Sequence, residues 1–168
     1  MKPLVSIIMG STSDWTVMEQ CAKTLNEFEI PFEVNALSAH RTPDEVAVFA
    51  KKAHRRGVKV IIAAAGMAAH LPGVIASMTP MPVIGVPVKA SLDGWDAMLA
   101  ILQMPPGIPV ATVAINGAQN AALLAVQILS VGNRKIFKRY EAFKNSLKEK
   151  IVKANEDFSK IEMSFKVN

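Results

Sequence analysis

The chain has 168 residues, of which 51% are hydrophobic and 6% are aromatic, and its formal net charge is +5. This length and composition predict one domain with a core of small and branched aliphatic side chains, as in buried parallel sheets. The single cysteine, Cys21, excludes an internal disulfide and favours a reducing compartment, so we expect a cytoplasmic protein. The sequence has no uninterrupted apolar stretch long enough to predict a membrane span. The start of the chain lacks the pattern of a signal peptide.

The excess positive charge lies in the carboxyl-terminal part of the chain. Residues 1–132 carry nine basic and nine acidic side chains, whereas residues 133–168 carry ten basic and five acidic ones. Apolar residues in this tail recur at spacings of three and four, which predicts an amphipathic packing helix over about residues 134–158. We therefore expect residues 1–132 to form a single α/β domain and residues 133–168 to form a helical extension on the same or a neighbouring subunit. We expect no binding of nucleic acid.

The first predicted strand, residues 4–9, ends in a run of short polar residues. Gly10-Ser11-Thr12-Ser13-Asp14 leads into a helix that runs to about Phe28. Helix amino termini have free N–H groups and a partial positive charge, so they can hold a phosphate. An ordinary N-cap needs one such residue, and four in a row favour phosphate or sugar binding. The loop matches neither the dinucleotide fingerprint nor the Walker lysine loop, which argues against NAD and ATP.

The second predicted strand, residues 32–37, is followed by Ser38-Ala39-His40-Arg41-Thr42-Pro43. A helix is predicted from Pro43 to Arg56, where basic residues and a glycine form a carboxyl-terminal signal. The loop places a proton carrier beside a fixed cation at the carboxyl end of a strand, where ligands bind in open α/β sheets. Taken alone, these six residues fit a capped surface loop equally well.

The third predicted strand, residues 58–64, precedes a small, glycine-punctuated segment, residues 65–73, that contains His70. Small residues allow backbone N–H groups to approach a ligand, although an isolated histidine often makes only a structural hydrogen bond. Further strands are predicted at residues 82–88 and 110–115, and further helices at about residues 72–78, 92–102 and 118–129. The last of these is apolar on every face, so we expect a partner subunit to cover it.

The alternation of strands and helices predicts a flavodoxin-like, doubly wound α/β sandwich of three layers, with a carboxyl-terminal helix added. Five parallel strands favour the order 2-1-3-4-5, in which strands 2, 1 and 3 are neighbours. The loops that follow these three strands would meet at the switch point of the sheet. This convergence favours one binding site over three independent helix caps.

Four segments together resemble one enzyme family; they are Gly10–Trp15, Ser38–Pro43, Ala65–Gly73 and Gln103–Val113. They are similar in sequence and order to the class I N5-carboxyaminoimidazole ribonucleotide mutases of purine biosynthesis, over about residues 4–131. The resemblance implies conversion of N5-carboxyaminoimidazole ribonucleotide to 4-carboxy-5-aminoimidazole ribonucleotide, by a homo-octamer with no cofactor and no metal. One departure is Asn116-Gly117, where the family more often has a glycine-leading run of small residues.

By the match of motifs, the resemblance implies that His40 is the catalytic acid/base. It implies substrate-binding or site-lining positions for Ser11, Ser13, Asp14, Ser38, Ala39, Arg41, Gly66, His70 and Leu71. A histidine, with an ordinary pKa of about 6.5, can carry out proton transfers in both directions. An arginine fork suits a phosphate, and a carboxylate can accept from ribose hydroxyls. The small side chains at residues 66–69 would form a wall that keeps water away from CO2 held in the site.

Other functions remain open from the sequence. The related class II carboxylases use free CO2 and aminoimidazole ribonucleotide, but they usually carry Lys-Gly at Arg41-Thr42 and lack the Ala-His-Leu-Pro pattern. A flavodoxin-like electron-transfer module needs loop aromatics around a flavin, for which only Trp15 and Trp95 are candidates. A phosphorylation-dependent receiver needs an aspartate after strand 3, where this chain has Gly66. A nucleic-acid-binding module would have to use the basic tail.

Overall fold

The computed structural model describes residues 1–167 and contains a five-stranded parallel sheet of order β2-β1-β3-β4-β5. The predicted α/β class, strand number and strand order are therefore confirmed. The strands are β1 Val5–Met9, β2 Phe32–Ala36, β3 Val60–Gly66, β4 Val83–Val88 and β5 Ala111–Thr112. The helices are α1 Trp15–Glu27, α2 Pro43–Arg56, α3 Leu71–Ala76, α4 Trp95–Leu102, α5 Ala118–Ser130 and α6 Arg134–Ser159.

Two hydrophobic cores lie on opposite faces of the sheet. Successive strand side chains point to opposite faces, so Ile7 packs in the core formed with α1, α5 and α6, while Ile8 packs in the core formed with α2, α3 and α4. The side chains of β1, β3 and β4 are buried along almost their whole length. This burial on both faces explains why these strands read as continuous apolar runs rather than as alternating patterns.

Strand β5 is much shorter than the predicted 110–115. It pairs only through Ala111 and Thr112, and the Val113 N–H still donates to the Gly85 carbonyl at 3.1 Å. In a parallel ladder the Val113 carbonyl would next accept from residue 87, but that residue is Pro87 and has no N–H. The ladder ends there because of a residue in the neighbouring strand.

Other boundaries differ from the prediction by a few residues. Strand β3 continues past residue 64 because Ala65 and Gly66 pair with Pro87 and Val88 of β4. Helices α1 and α4 each begin at a tryptophan, after short 3-10 turns at Thr12–Asp14 and Leu92–Gly94. Helix α2 has the bounds predicted from Pro43 and from the basic carboxyl-terminal turn.

Much of the cover that we expected a partner subunit to give α5 comes from α1 and α6 of the same chain. Ile136 is buried against this face, and the Phe143 ring meets the Phe28 ring edge-on at a centroid distance of 5.5 Å. Arg139 Nη1 donates to the Phe28 carbonyl at 2.8 Å. The first half of α6 therefore packs on the body of its own subunit, while later side chains such as Ile151 are exposed. Within residues 1–167, no helix combines the length and hydropathy needed to traverse a bilayer.

Candidate active site

The loop after β1 forms a closed hydrogen-bonded turn at the start of α1. Ser11 Oγ accepts from the Ser13 N–H at 3.3 Å and from the Ser13 hydroxyl at 2.8 Å. In return, Asp14 Oδ2 accepts from the Ser11 N–H at 3.1 Å, which completes a capping box. The sequence pattern of short polar residues thus includes a real cap, and it also leaves several hydroxyl groups at the carboxyl end of β1.

Asp14 is a buried carboxylate at this edge of the sheet, with 9% of its surface exposed. Burial raises the pKa of Asp14 above its ordinary value, while the Ser11 N–H and the positive charge of Arg41 act in the opposite direction. Holding a charged group out of water costs stability, and the Ser11 hydrogen bond and the Arg41 charge offset that cost only in part. Its place beside the Ser11 and Arg41 groups is typical of a ligand-binding carboxylate.

The loop after β2 is organised by Ser38. Its hydroxyl accepts from the Arg41 N–H at 3.2 Å and from Arg41 Nε at 3.4 Å, and its N–H donates to Thr42 Oγ1 at 2.9 Å. Arg41 Nη2 crosses to the first loop and donates to the Gly10 carbonyl at 2.7 Å. The guanidinium therefore ties two loops together, and it is held in one orientation near the short polar residues of the first loop.

His40 and His70 are brought together by these loops. His40 Nε2 lies 2.8 Å from His70 Nδ1, and the two rings meet edge-on at a centroid distance of 4.9 Å. His70 directly precedes α3, and its N–H donates to the Ala68 carbonyl at 2.8 Å. Both side chains are exposed, so a ligand at this edge of the sheet can reach either imidazole.

The segment after β3 forms the remaining wall. Ala65 and Ala69 are buried, and the neighbouring Gly66 lies close to β4: a Cβ at this glycine would be 3.0 Å from the Val88 carbonyl oxygen. Met67 has a φ of 55°, in the left-handed region that glycine favours. A non-glycine residue in that region costs on the order of 1 kcal/mol or more.

The three loops enclose a cavity of about 580 Å³ at the carboxyl ends of the strands. All ten site residues named from the sequence line it: Ser11, Ser13, Asp14, Ser38, Ala39, His40, Arg41, Gly66, His70 and Leu71. Five further residues line the cavity: Gly10, Ala65, Met67, Ala68 and Ala90. Of these, Met67 and Ala68 belong to the wall predicted at residues 66–69. Ala90 could have been found from its position just after β4, the strand beside β3.

A larger groove of about 710 Å³ lies at the opposite end of the sheet. Its lining, which comes mainly from residues 76–84 and 107–111, contains no titratable side chain. The smaller cavity holds a carboxylate, a guanidinium and two imidazoles, so of these two cavities it is the better equipped for chemistry. Within residues 1–167, no group of three or more His, Cys, Asp or Glu side chains is arranged to hold a metal ion.

The fold and the cavity define a doubly wound α/β protein with a polar small-molecule site at the switch point of its sheet. Residues 4–150 match the AIR carboxylase family, and the chain belongs to that family.

Several named relatives are similar to most of this chain. It is 55% identical over 151 residues to an N5-carboxyaminoimidazole ribonucleotide mutase of Pyrococcus horikoshii, with 89% of this chain and 85% of the relative covered. It is 56% identical over 152 residues to a phosphoribosylaminoimidazole carboxylase of Candida glabrata, with 90% of this chain but only 27% of that longer protein covered. The crystal structure of Treponema denticola PurE superposes with a TM-score of 0.85 at 33% identity, covering 96% of this chain and 100% of that one.

Proposed function

We propose that this chain converts N5-carboxyaminoimidazole ribonucleotide into 4-carboxy-5-aminoimidazole ribonucleotide, a step of purine biosynthesis. The observation that carries the proposal is the 55% identity to a relative of that name over 89% of this chain and 85% of the relative. The cavity supports it, because one acid/base group stands among donors and acceptors suited to a phosphorylated sugar.

Substrate binding is assigned to the first two loops. The Arg41 guanidinium has five N–H donors, and it can bind a phosphate together with the Ser11 and Ser13 hydroxyls. Asp14 accepts the Ser11 N–H with one carboxylate oxygen, so its other oxygen can accept from a ribose hydroxyl. Ser38 keeps the guanidinium in place, and Ala39, Gly66 and Leu71 give the ring of the substrate a small apolar surround.

The chemistry needs one proton to be delivered and one to be removed. His40 donates a proton to the carbamate nitrogen, the carbon–nitrogen bond breaks with its electron pair left on nitrogen, and CO2 is released within the cavity. The ring carbon of the resulting aminoimidazole then attacks CO2, and the neutral imidazole of His40 takes the proton from that carbon. No electrons are gained or lost overall, and His40 returns to its starting state. His70 orients His40 through their hydrogen bond.

A second candidate function is carboxylation of aminoimidazole ribonucleotide by free CO2. The named carboxylases of Candida glabrata and Schizosaccharomyces pombe favour it, since they are 56% and 51% identical to this chain. The chain spans less than a third of either protein, so each name belongs to a longer protein of which this chain matches one part. The mutase is preferred because the relatives of similar length carry that name.

One experiment distinguishes the two candidate functions. The protein is incubated with each carboxylated isomer in turn, without bicarbonate and without ATP, and both isomers are followed by their absorbance and by chromatography. A mutase interconverts them directly. A carboxylase instead requires aminoimidazole ribonucleotide plus bicarbonate, and interconversion that stops in CO2-depleted buffer would overturn the mutase assignment.

We further propose a cytoplasmic homo-octamer that needs no metal or cofactor, with residues 1–132 as the catalytic domain and residues 133–168 as the extension. Exposed apolar side chains support subunit contacts: Trp95, Leu99 and Leu102 of α4 are 58%, 47% and 54% exposed. The lone thiol, Cys21, suits a reducing compartment. Light scattering coupled to size-exclusion chromatography tests the octamer, and turnover after dialysis against a chelator tests the absence of a metal.

A further inference from the structure

Met67 differs from every other residue in its part of the cavity wall. Residues 63–69 are otherwise alanine and glycine, so Met67 is the one long side chain in this run. It lines the cavity and is nevertheless 62% exposed, which places it at the rim rather than in the core. Its φ of 55° is one that glycine adopts without strain.

Packing within its own subunit does not account for a methionine at this position. An exposed side chain buries little apolar area, so it contributes little to offset the strained backbone. The neighbouring backbone is closely packed, since a Cβ at Gly66 would lie 3.0 Å from the Val88 carbonyl oxygen and 3.3 Å from Ala90 Cβ. A glycine at position 67 would adopt the observed φ without strain, so the presence of a methionine points to a role for its side chain at the cavity rim.

We propose that Met67 retains CO2 at the site while the carboxyl group migrates; this inference rests on the proposed mutase function. Between cleavage of the carbon–nitrogen bond and formation of the carbon–carbon bond, CO2 is a small neutral molecule that no charged group can hold firmly. Its escape is limited only by the surface that covers it. A flexible, polarisable thioether at the rim can follow the shape of the bound ring and exclude water.

An isotope experiment measures this retention directly. The substrate carries an isotopically labelled carboxyl carbon, the buffer contains unlabelled bicarbonate, and the label remaining in the product is measured by mass spectrometry. Wild-type protein should keep most of the label. Met67→Gly should show a several-fold rise in label loss and should release aminoimidazole ribonucleotide during turnover. Met67→Leu, which keeps the apolar volume, should retain label nearly as well as the wild type.

Leu92 supplies a matched control. It also has a positive φ, 41°, and is 76% exposed, but it does not line the cavity. Leu92→Gly therefore relieves similar strain and removes a similar apolar side chain. Both glycine variants should have a Tm close to or above that of the wild type, and only Met67→Gly should lose label.

The outcomes are distinguishable. If the wild type interconverts the isomers and Met67→Gly retains label as well as the wild type does, the role of Met67 is overturned while the mutase function stands. Equal label loss in Leu92→Gly would also overturn it, because the effect would then follow from strain relief alone. If the wild type interconverts neither isomer, the proposed function itself is overturned.

Discussion

His40 Nε2 lies 2.8 Å from His70 Nδ1, although the two residues are 30 positions apart in the chain. They belong to the loops after β2 and β3, and β1 runs between these two strands. A hydrogen bond between two imidazoles requires one nitrogen to donate and the other to accept. The pair therefore links the protonation of His40 to the tautomer of its neighbour.

The first prediction concerns His40 itself. His40→Asn removes the proton carrier but keeps a small polar side chain, so turnover should fall by at least about 10²-fold while substrate affinity changes little. Steady-state rates and equilibrium binding of 4-carboxy-5-aminoimidazole ribonucleotide measure the two effects. His54→Asn is the control, because His54 is exposed near the carboxyl end of α2 and away from the cavity. Substantial turnover by His40→Asn would refute the assignment.

The second prediction tests whether His70 positions His40. Misorientation of a catalytic group by a small distance costs up to about 10²-fold in rate, so His70→Ala should lower kcat by roughly that amount with a smaller change in KM. His70→Asn should recover part of the loss, since its amide can still bond to His40. A rise in KM alone, with kcat unchanged, would instead make His70 a binding residue.

The third prediction concerns the buried carboxylate. Burial raises the pKa of Asp14, so the folded protein binds this proton more tightly than the unfolded chain does. The stability that results is fully present below the unfolded pKa, near 4, and is lost as the pH rises through the folded pKa. Asp14→Asn should therefore raise the Tm at pH 7, and the difference from the wild type should shrink as the solution is acidified.

The same substitution should weaken substrate binding by about tenfold or more, because a charged acceptor is lost. Thermal unfolding across pH and the KM at neutral pH measure the two effects. Asp44→Asn is the matched control, since Asp44 is an exposed carboxylate in the first turn of α2. It should not raise the Tm at pH 7. A lower Tm for Asp14→Asn at neutral pH would show that the carboxylate stabilises the fold.

The fourth prediction concerns the close packing of side chains against Gly85 in β4. A Cβ at Gly85 would lie 2.4 Å from Ile101 Cγ2 and 3.0 Å from Val110 Cγ1. Gly85→Ala should therefore lower the free energy of unfolding by about 1–3 kcal/mol, measured by urea denaturation. Gly132→Ala is the control, because no atom lies within 4 Å of its added Cβ. It should change stability by less than about 0.5 kcal/mol.

The sequence predicted the sheet order because alternating elements and five strands leave few arrangements. It predicted α2 at about Pro43 to Arg56, where the helix lies, because Pro43 and the basic last turn are local signals at its two ends. Topology predicted that the loops after neighbouring parallel strands would meet, and the family resemblance supplied the ten residues that line the resulting cavity. Their individual roles stay predictions.

What the sequence could not provide depends on contacts between distant segments. The length of β5 depends on Pro87 of another strand. The His40–His70 bond depends on loop shapes that no local pattern encodes. The positive φ of Met67 is a property of the folded backbone that no local sequence pattern marks, and the sequence alone shows Met67 only as one member of a small-residue wall.

The brevity of β5 also affects how separate molecules meet. An outer strand with a long row of unpaired N–H and C=O groups can recruit a foreign segment and seed aggregates. This border has two ladder residues, Ala111 and Thr112, followed by a position where proline stops further pairing. An incoming strand could form only a few backbone hydrogen bonds with this edge. The short strand therefore protects this side of the sheet against aggregation without the charged side chains that often protect longer edge strands.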